Sequence, residues 1–221
     1  MRNENTIKIN IIRHGKTLLN EKRCYIGVTD EPLSANGIEE IVSYINDDVY
    51  KKVDRVYVSP MKRAVETAKL IFPEASIFEV NEFREMDFGS FEGKNYEELK
   101  DNIYYRKWID ETRGVADEEL KALYSGIDFN KSNITLPEDK KSFELRVING
   151  LKKVIANCDG DDVTIVAHGG TIMAISSLCS GDDYYKYMVK NGEGIEATVA
   201  YTNDNGNVEI SRVSFNNRIC S

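Results

Sequence analysis

Ile7-Lys8-Ile9-Asn10-Ile11-Ile12, followed by Arg13-His14-Gly15-Lys16-Thr17, is the stretch from which the rest of the chain is read. A β-branched run ends in a glycine-containing turn that carries a histidine. Val163-Thr164-Ile165-Val166-Ala167, followed by His168-Gly169-Gly170-Thr171, repeats that layout near the other end. These are the only two histidines in the chain. In an α/β sheet, ligands bind beyond the carboxyl ends of parallel strands, where helix N-termini also gather. A lone histidine is more often a satisfied core residue. Two at the same kind of strand end, one beside an arginine, point to a site assembled from both ends of the chain.

Between those runs the chain alternates strand and helix signals. Ser34 precedes Ile38, Ile41, Val42 and Ile45, spaced as one face of a helix with Ser34 as its cap. Val53 to Val58 reads as a strand. Ser59-Pro60 then reads as an N-cap followed by proline at the first helical position. Met61, Ala64, Val65, Ala68, Ile71 and Phe72 form the buried stripe of that helix, which Pro73 ends. Ser76 to Val80 is a short strand. Residues from about 81 to 141 break the rhythm, being charged and aromatic, and are expected to be a helical insertion over the strand ends. Val147, Ile148, Leu151, Val154 and Ile155 mark another helix, and a further one is expected from Thr171. Asn205-Gly206 between two strand-like runs signals a hairpin. The expected fold is a three-layer αβα sandwich, mostly parallel with an antiparallel edge, in one domain spanning residues 1–221.

Composition limits the function. The chain has 221 residues and a formal net charge of −8, which argues against a nucleic-acid partner. A small anionic substrate remains compatible, because screening confines the global field to about 8–10 Å and local arginines rule a cleft. No run approaches the roughly 20 apolar residues of a membrane span. The start, MRNENTIKIN, lacks a signal peptide's apolar core. Cys24, Cys158, Cys179 and Cys220 are scattered without metal-ligand spacing and are read as reduced thiols of a cytoplasmic protein.

Arg13 beside His14 disfavours the imidazolium and keeps a nucleophilic neutral imidazole, and guanidinium groups grip phosphate oxygens. Arg63 falls in the first turn of a helix after a strand, where the helix dipole already favours anions. The loop Arg84-Glu85-Met86-Asp87-Phe88-Gly89-Ser90-Phe91-Glu92-Gly93 offers three carboxylates for acid catalysis, and chemistry alone does not choose among Glu85, Asp87 and Glu92.

Five stretches in order, IIRHGKTLLN, YIGVTDEPLSANG, VSPMKRAVETA, REMDFGSFEG and VAHGGTI, resemble the histidine phosphatase superfamily, which includes the cofactor-dependent phosphoglycerate mutases. They run from Ile11 to Ile172. The resemblance implies that His14 attacks the phosphoryl group and is itself phosphorylated. It implies that Arg13, Arg63 and His168 hold that group and that Glu85 is the general acid. Asn20, Gly27 and Gly169 join Arg13, Arg63 and His168 as substrate-binding residues. No metal and no cofactor is implied.

The short segment EMDFGSFEG resembles the superfamily's phosphatases, since mutases carry a longer basic insertion there. The layout resembles the α-ribazole phosphatase type most, which suggests α-ribazole 5′-phosphate as substrate. One departure is Lys140-Lys141-Ser142, where that type often has Gly-Glu-Ser. A second anionic group on the substrate would suit those lysines; solvated lysines are the plainer reading. Tyr104, Tyr105 and Trp108 are candidates for a stacking wall or for helix packing. Arg106, Lys107 and Arg113 either bind a second phosphate or lie in solvent. The alternatives are a phosphoglycerate mutase, a catalytically silent phosphate-binding protein, and a metal site on the two histidines. The expected partner is a small phosphomonoester, with neither nucleic acid nor membrane, and the protein is expected to be a monomer or homodimer.

Overall fold

The structure is a computed structural model that describes residues 4–128, 133–178 and 186–219. Six strands form one sheet in the order β3-β2-β4-β1-β5-β6. They are β1 (Asn5–Arg13), β2 (Arg55–Val58), β3 (Ser76–Glu79), β4 (Asp162–Ala167), β5 (Gly194–Asp204) and β6 (Asn207–Ile219). β3, β2, β4 and β1 run parallel, and β5 and β6 add the antiparallel edge. The hairpin turns on Asn205 and Gly206, both left-handed at φ 52° and 91°, as the tight turn between Asp204 and Asn207 requires.

Alternation along the central strands fills two cores, which makes the three layers. Ile7, Ile9, Ile11, Val163, Ile165 and Ala167 pack with Phe143, Val147, Leu151, Ile172 and Ile175. These belong to α7 (Lys140–Asn157) and α8 (Gly169–Ser176). Ile12, Val56, Val58 and Val166 face the other way, onto Ile41 of α2 (Ala35–Asn46) and onto Ala64, Ala68 and Ile71 of α3 (Lys62–Ile71).

Two local expectations are corrected. Ser34 does cap α2, accepting from the Gly37 N–H, but Ile38 and Val42 are exposed and only Ile41 of that expected face is fully buried. The helix lies against the turn after β1: a Cβ on Gly37 would overlap the Lys16 carbonyl, so glycine lets the two backbones meet. α3 begins at Lys62, with Met61 in the cap position and no side-chain cap bond. Pro60 therefore precedes the helix, and Ser59 is left for another use.

Among the described residues, the segment between β3 and α7 holds two 3₁₀ turns and three helices, α4 (Tyr96–Leu99), α5 (Ile103–Thr112) and α6 (Asp117–Leu123). Phe91, Leu99 and Tyr105 give this segment a small core of its own. Among the described residues, no helix is long and apolar enough to cross a membrane. Cys24 and Cys158 are free thiols, while Cys179 and Cys220 lie outside the described residues.

Candidate active site

Three adjacent parallel strands each deliver one polar side chain to the same rim. Arg13 of β1 pairs with Ala167 of β4, so His14 and His168 are the next residues on neighbouring strands. Val58 of β2 pairs with Val166, and the Ser59 N–H donates to the Val166 carbonyl at 3.0 Å. The row reads Ser59, His168, His14. The two imidazole centroids are 5.0 Å apart, with the rings at 63°.

His14 Nδ1 lies 2.7 Å from the Gly15 carbonyl. A carbonyl only accepts, so Nδ1 carries the proton and Nε2 keeps a free lone pair. Burial, then the charges of Arg63 and Arg13, hold the His14 pKa well below the usual histidine value. Burial and Arg63 do the same to His168. His168 Nε2 is 2.7 Å from the Ser59 hydroxyl, and its buried Nδ1 has no partner.

The arginines are anchored by carbonyls. Arg13 Nη1 donates to the Val189 carbonyl at 2.8 Å. Arg63, fully buried, donates to the carbonyls of Thr29, Gly27 and Ile26 at 2.8, 2.9 and 3.3 Å. In each, Nε is buried and unpartnered. Buried donors are almost always satisfied, so two unused guanidinium N–H groups beside an unprotonated His14 Nε2 fit a place for an anion. Asn20 uses its amide oxygen on the Thr17 N–H and hydroxyl, and Asn191 donates to the His14 carbonyl at 3.0 Å and to Asn20 at 3.4 Å.

Geometry separates the three carboxylates. Glu92 accepts from the N–H groups of Gly27, Val28, Thr29 and Phe88 and from the Thr29 hydroxyl, so it ties two loops together. Asp87 accepts from the Gly89 N–H within its own turn. Glu85 lies on the cavity wall with Arg13 and His14. Its oxygens accept from the Met86 and Gly170 N–H groups at 2.9 and 3.0 Å. Desolvation raises its pKa above the ordinary glutamate value, against those two bonds and the charges of Arg63 and Arg13. Arg146 grips Glu138 with two nitrogens and donates to the carbonyls of Glu82, Arg84 and Glu85, which fixes the loop under Glu85. A Cβ on Gly170 would overlap Glu85 Oε1. Gly170→Ala is therefore expected to push the Glu85 carboxyl away and cut kcat by about 10²-fold or more, with the melting temperature changing by only a few degrees. Steady-state kinetics beside a thermal melt checks this.

These groups open onto a cavity of about 460 Å³. Arg13, His14, Asn20, Glu85 and Gly169 line it. Phe88, Trp108, Ile109, Met173 and Met188 give it an apolar side, and Arg23 reaches it from the turn after α1 (Leu18–Glu21).

A model of the histidine phosphatase superfamily (branch 1) matches residues 9–193. The chain belongs to the histidine phosphatase superfamily. Among similar proteins is the uncharacterized phosphatase PhoE of Bacillus subtilis, 31% identical over 182 residues, covering 78% of this chain and 77% of PhoE. The fold is similar to that of a phosphoglycerate mutase from Bacillus anthracis, with TM-score 0.68 and 24% identity over 95% of this chain and 93% of that one. It is also similar to the α-ribazole phosphatase of Shigella flexneri, with TM-score 0.64 and 23% identity over 94% and 96%. This chain is an enzyme of the superfamily with phosphatase-named relatives.

Within this histidine phosphatase chain, the expected residues occupy different depths. Arg63 and His168 are fully buried next to His14 and are not among the residues that line the cavity. Gly27 is also off that wall: its N–H serves Glu92, its carbonyl serves Arg63, and a Cβ would overlap the Met86 carbonyl. Glycine is needed there for close backbone packing, and Ile26 lines the cavity instead. Trp108 is on the wall, whereas Tyr104 and Tyr105 are not. Tyr105 is buried with its hydroxyl 2.7 Å from that of Tyr25. Arg106 and Arg113 line a separate groove, and Lys107 pairs with Glu111. Lys140 donates to the Thr112 carbonyl, and Lys141 is exposed. Sequence reading missed Ser59, Asn191, Arg146 and Arg23. Ser59 ends a strand just as His14 and His168 do, but Ser-Pro before a helix reads equally well as a cap. The other three depend on tertiary contacts that carry no local signature. Among the described residues, no three His, Cys, Asp or Glu side chains gather as a metal ion would need.

Proposed function

We propose that this chain is a phosphomonoesterase that hydrolyses a small phosphorylated metabolite through a phosphohistidine on His14. The observation that carries the reading is the His14 Nδ1 contact with the Gly15 carbonyl, which leaves Nε2 unprotonated on a residue that lines the same cavity as Glu85. Nε2 attacks phosphorus, and the bond from phosphorus to the ester oxygen breaks. Glu85 gives its proton to the leaving oxygen. The Glu85 carboxylate then takes a proton from water, whose oxygen attacks phosphorus and breaks the P–N bond. The free N–H groups of Arg13 and Arg63 and the His168 ring meet the charge on the phosphoryl oxygens. If Ser59 donates its hydroxyl proton to His168 Nε2, the ring proton sits on Nδ1 and becomes a further donor. Asn20 and Gly169 complete the rim, and residues 81–141 act as the cap of a single domain.

The apolar side of the cavity suits a leaving group with a ring, and α-ribazole 5′-phosphate is one such substrate. A panel of phosphomonoesters compared by kcat/KM for phosphate release tests the reading. Phosphate release from a ring-bearing ester supports it. Conversion of 3-phosphoglycerate to 2-phosphoglycerate without phosphate release would overturn it in favour of a mutase.

A further inference from the structure

Resting on that hydrolase reading, we propose that Arg23 selects the substrate by pairing with a second anionic group, carboxylate or phosphate, on the leaving-group end. Arg23 follows the C-cap residue Lys22 of α1. Its N–H donates to the Asn20 carbonyl, and the Cys24 N–H donates to the Leu19 carbonyl. This is a helix ending that turns through a left-handed residue, and Arg23 has φ 57°. Glycine is the preferred residue there, because a Cβ in that conformation meets its own backbone. An arginine at such a position is a local cost, and strained residues of this kind cluster at functional sites.

The side chain then goes where a ligand would be. Arg23 is exposed and lines the reaction cavity with Asn20, Cys24 and Tyr25. The other arginines around Glu85 and His14 are anchored by protein carbonyls, Arg13 by Val189, Arg63 by three carbonyls and Arg146 by the Glu85 loop, which leaves the Nε–H groups of Arg13 and Arg63 for the phosphoryl group. The Arg23 guanidinium has neither a hydrogen bond nor an ion pair among the described residues. Two carboxylates stand nearby, Glu31 and Glu98, close enough to act on the Cys24 thiol. Glu31 accepts from the Leu19 N–H and Glu98 from that of Asn95, so both serve the backbone rather than Arg23. Arg13 and Arg63 suffice for the transferred phosphoryl group. A free guanidinium at the cavity wall beyond them is placed for charge elsewhere on the substrate.

The test compares phenyl phosphate with 4-carboxyphenyl phosphate on the wild type, Arg23→Gly and Arg23→Lys. Glycine suits φ 57°, so a thermal melt of Arg23→Gly at or above that of the wild type confirms an intact fold. Arg23→Gly is expected to lower kcat/KM for the carboxylated ester about tenfold more than for phenyl phosphate, with Arg23→Lys recovering part of the difference. Taking the ratio between enzymes cancels the different leaving-group acidities. Equal losses on both esters, or no loss on either, overturns the role of Arg23 and leaves the hydrolase reading standing. A wild type that releases phosphate from neither ester overturns that reading, and the role of Arg23 with it.

Discussion

Replacing His14 by alanine is expected to lower phosphate release by at least about 10⁴-fold on every phosphomonoester, while the fold survives. Removing a covalent nucleophile takes away a whole route, and groups that act as a unit leave little activity behind. Fold survival follows from the surroundings. Among the described residues, the imidazole makes one hydrogen bond through its side chain, to the carbonyl of the next residue. Its own burial, then the charges of Arg63 and Arg13, hold it neutral. Such a site is arranged for reaction more than for stability, so the melting temperature of His14→Ala should stay within a few degrees of the wild type. Wild-type protein quenched in acid during turnover should carry labelled phosphate, lost on mild heating in acid as expected of a phosphoramidate, and His14→Ala should carry none. Label remaining on the variant, or undiminished turnover by it, sinks the mechanism.

The parts of this site visible in the sequence are those set by strand ends. Val163–Ala167 is buried on both faces, as a central parallel strand is, whereas Ile7–Ile12 buries Ile7, Ile9 and Ile11 on one face and leaves Lys8 exposed on the other. Their register, Arg13 against Ala167, is what makes two matching histidines neighbours. Ser59 belongs to the same row, but Ser-Pro before a helix satisfies a capping pattern equally well, and local chemistry could not separate the two. Ile38 and Val42 carry helical spacing and still face solvent, because the close approach of Gly37 to Lys16 rotates α2 onto Ile41. Glu85, Asp87 and Glu92 are chemically alike. Only the count of donors around each oxygen shows that Glu92 ties loops together while Glu85 stays at the cavity. The insertion was legible as an interruption. Which of its aromatic residues reaches the cavity was not, since Tyr105 and Trp108 lie on one short helix and differ only in where that helix packs.

Glu85→Gln gives the second large effect, and its size should depend on the leaving group. An alkoxide needs a proton as the ester bond breaks, so alkyl phosphates should slow by about 10³-fold. Nitrophenolate leaves without one, so the first step with 4-nitrophenyl phosphate should persist. The second step still needs a base for water, and glutamine is none. The variant should therefore release a burst of nitrophenolate equal to the enzyme present, followed by slow turnover, with phosphohistidine accumulating. The pH profile follows from the same two groups. His14 is held well below the usual histidine value, so its reactive neutral form is complete at neutral pH and is lost only at distinctly acid pH. Glu85 is raised above the usual glutamate value by desolvation, and the nearby negative charge of a bound phosphate ester raises it further. Proton donation needs the protonated form, so wild-type rates on alkyl phosphates should fall as pH rises through the pKa of Glu85 in the complex. Glu85→Gln should flatten that alkaline limb, because glutamine does not titrate. Both backbone donors that held the carboxylate remain, and a Gln oxygen can accept from only one side while its amide nitrogen faces the other N–H. A small loss of stability, about 1 kcal/mol, is expected from that mismatch. A variant that turns over alkyl and nitrophenyl esters with equal loss and without a burst would assign the proton transfers to another group.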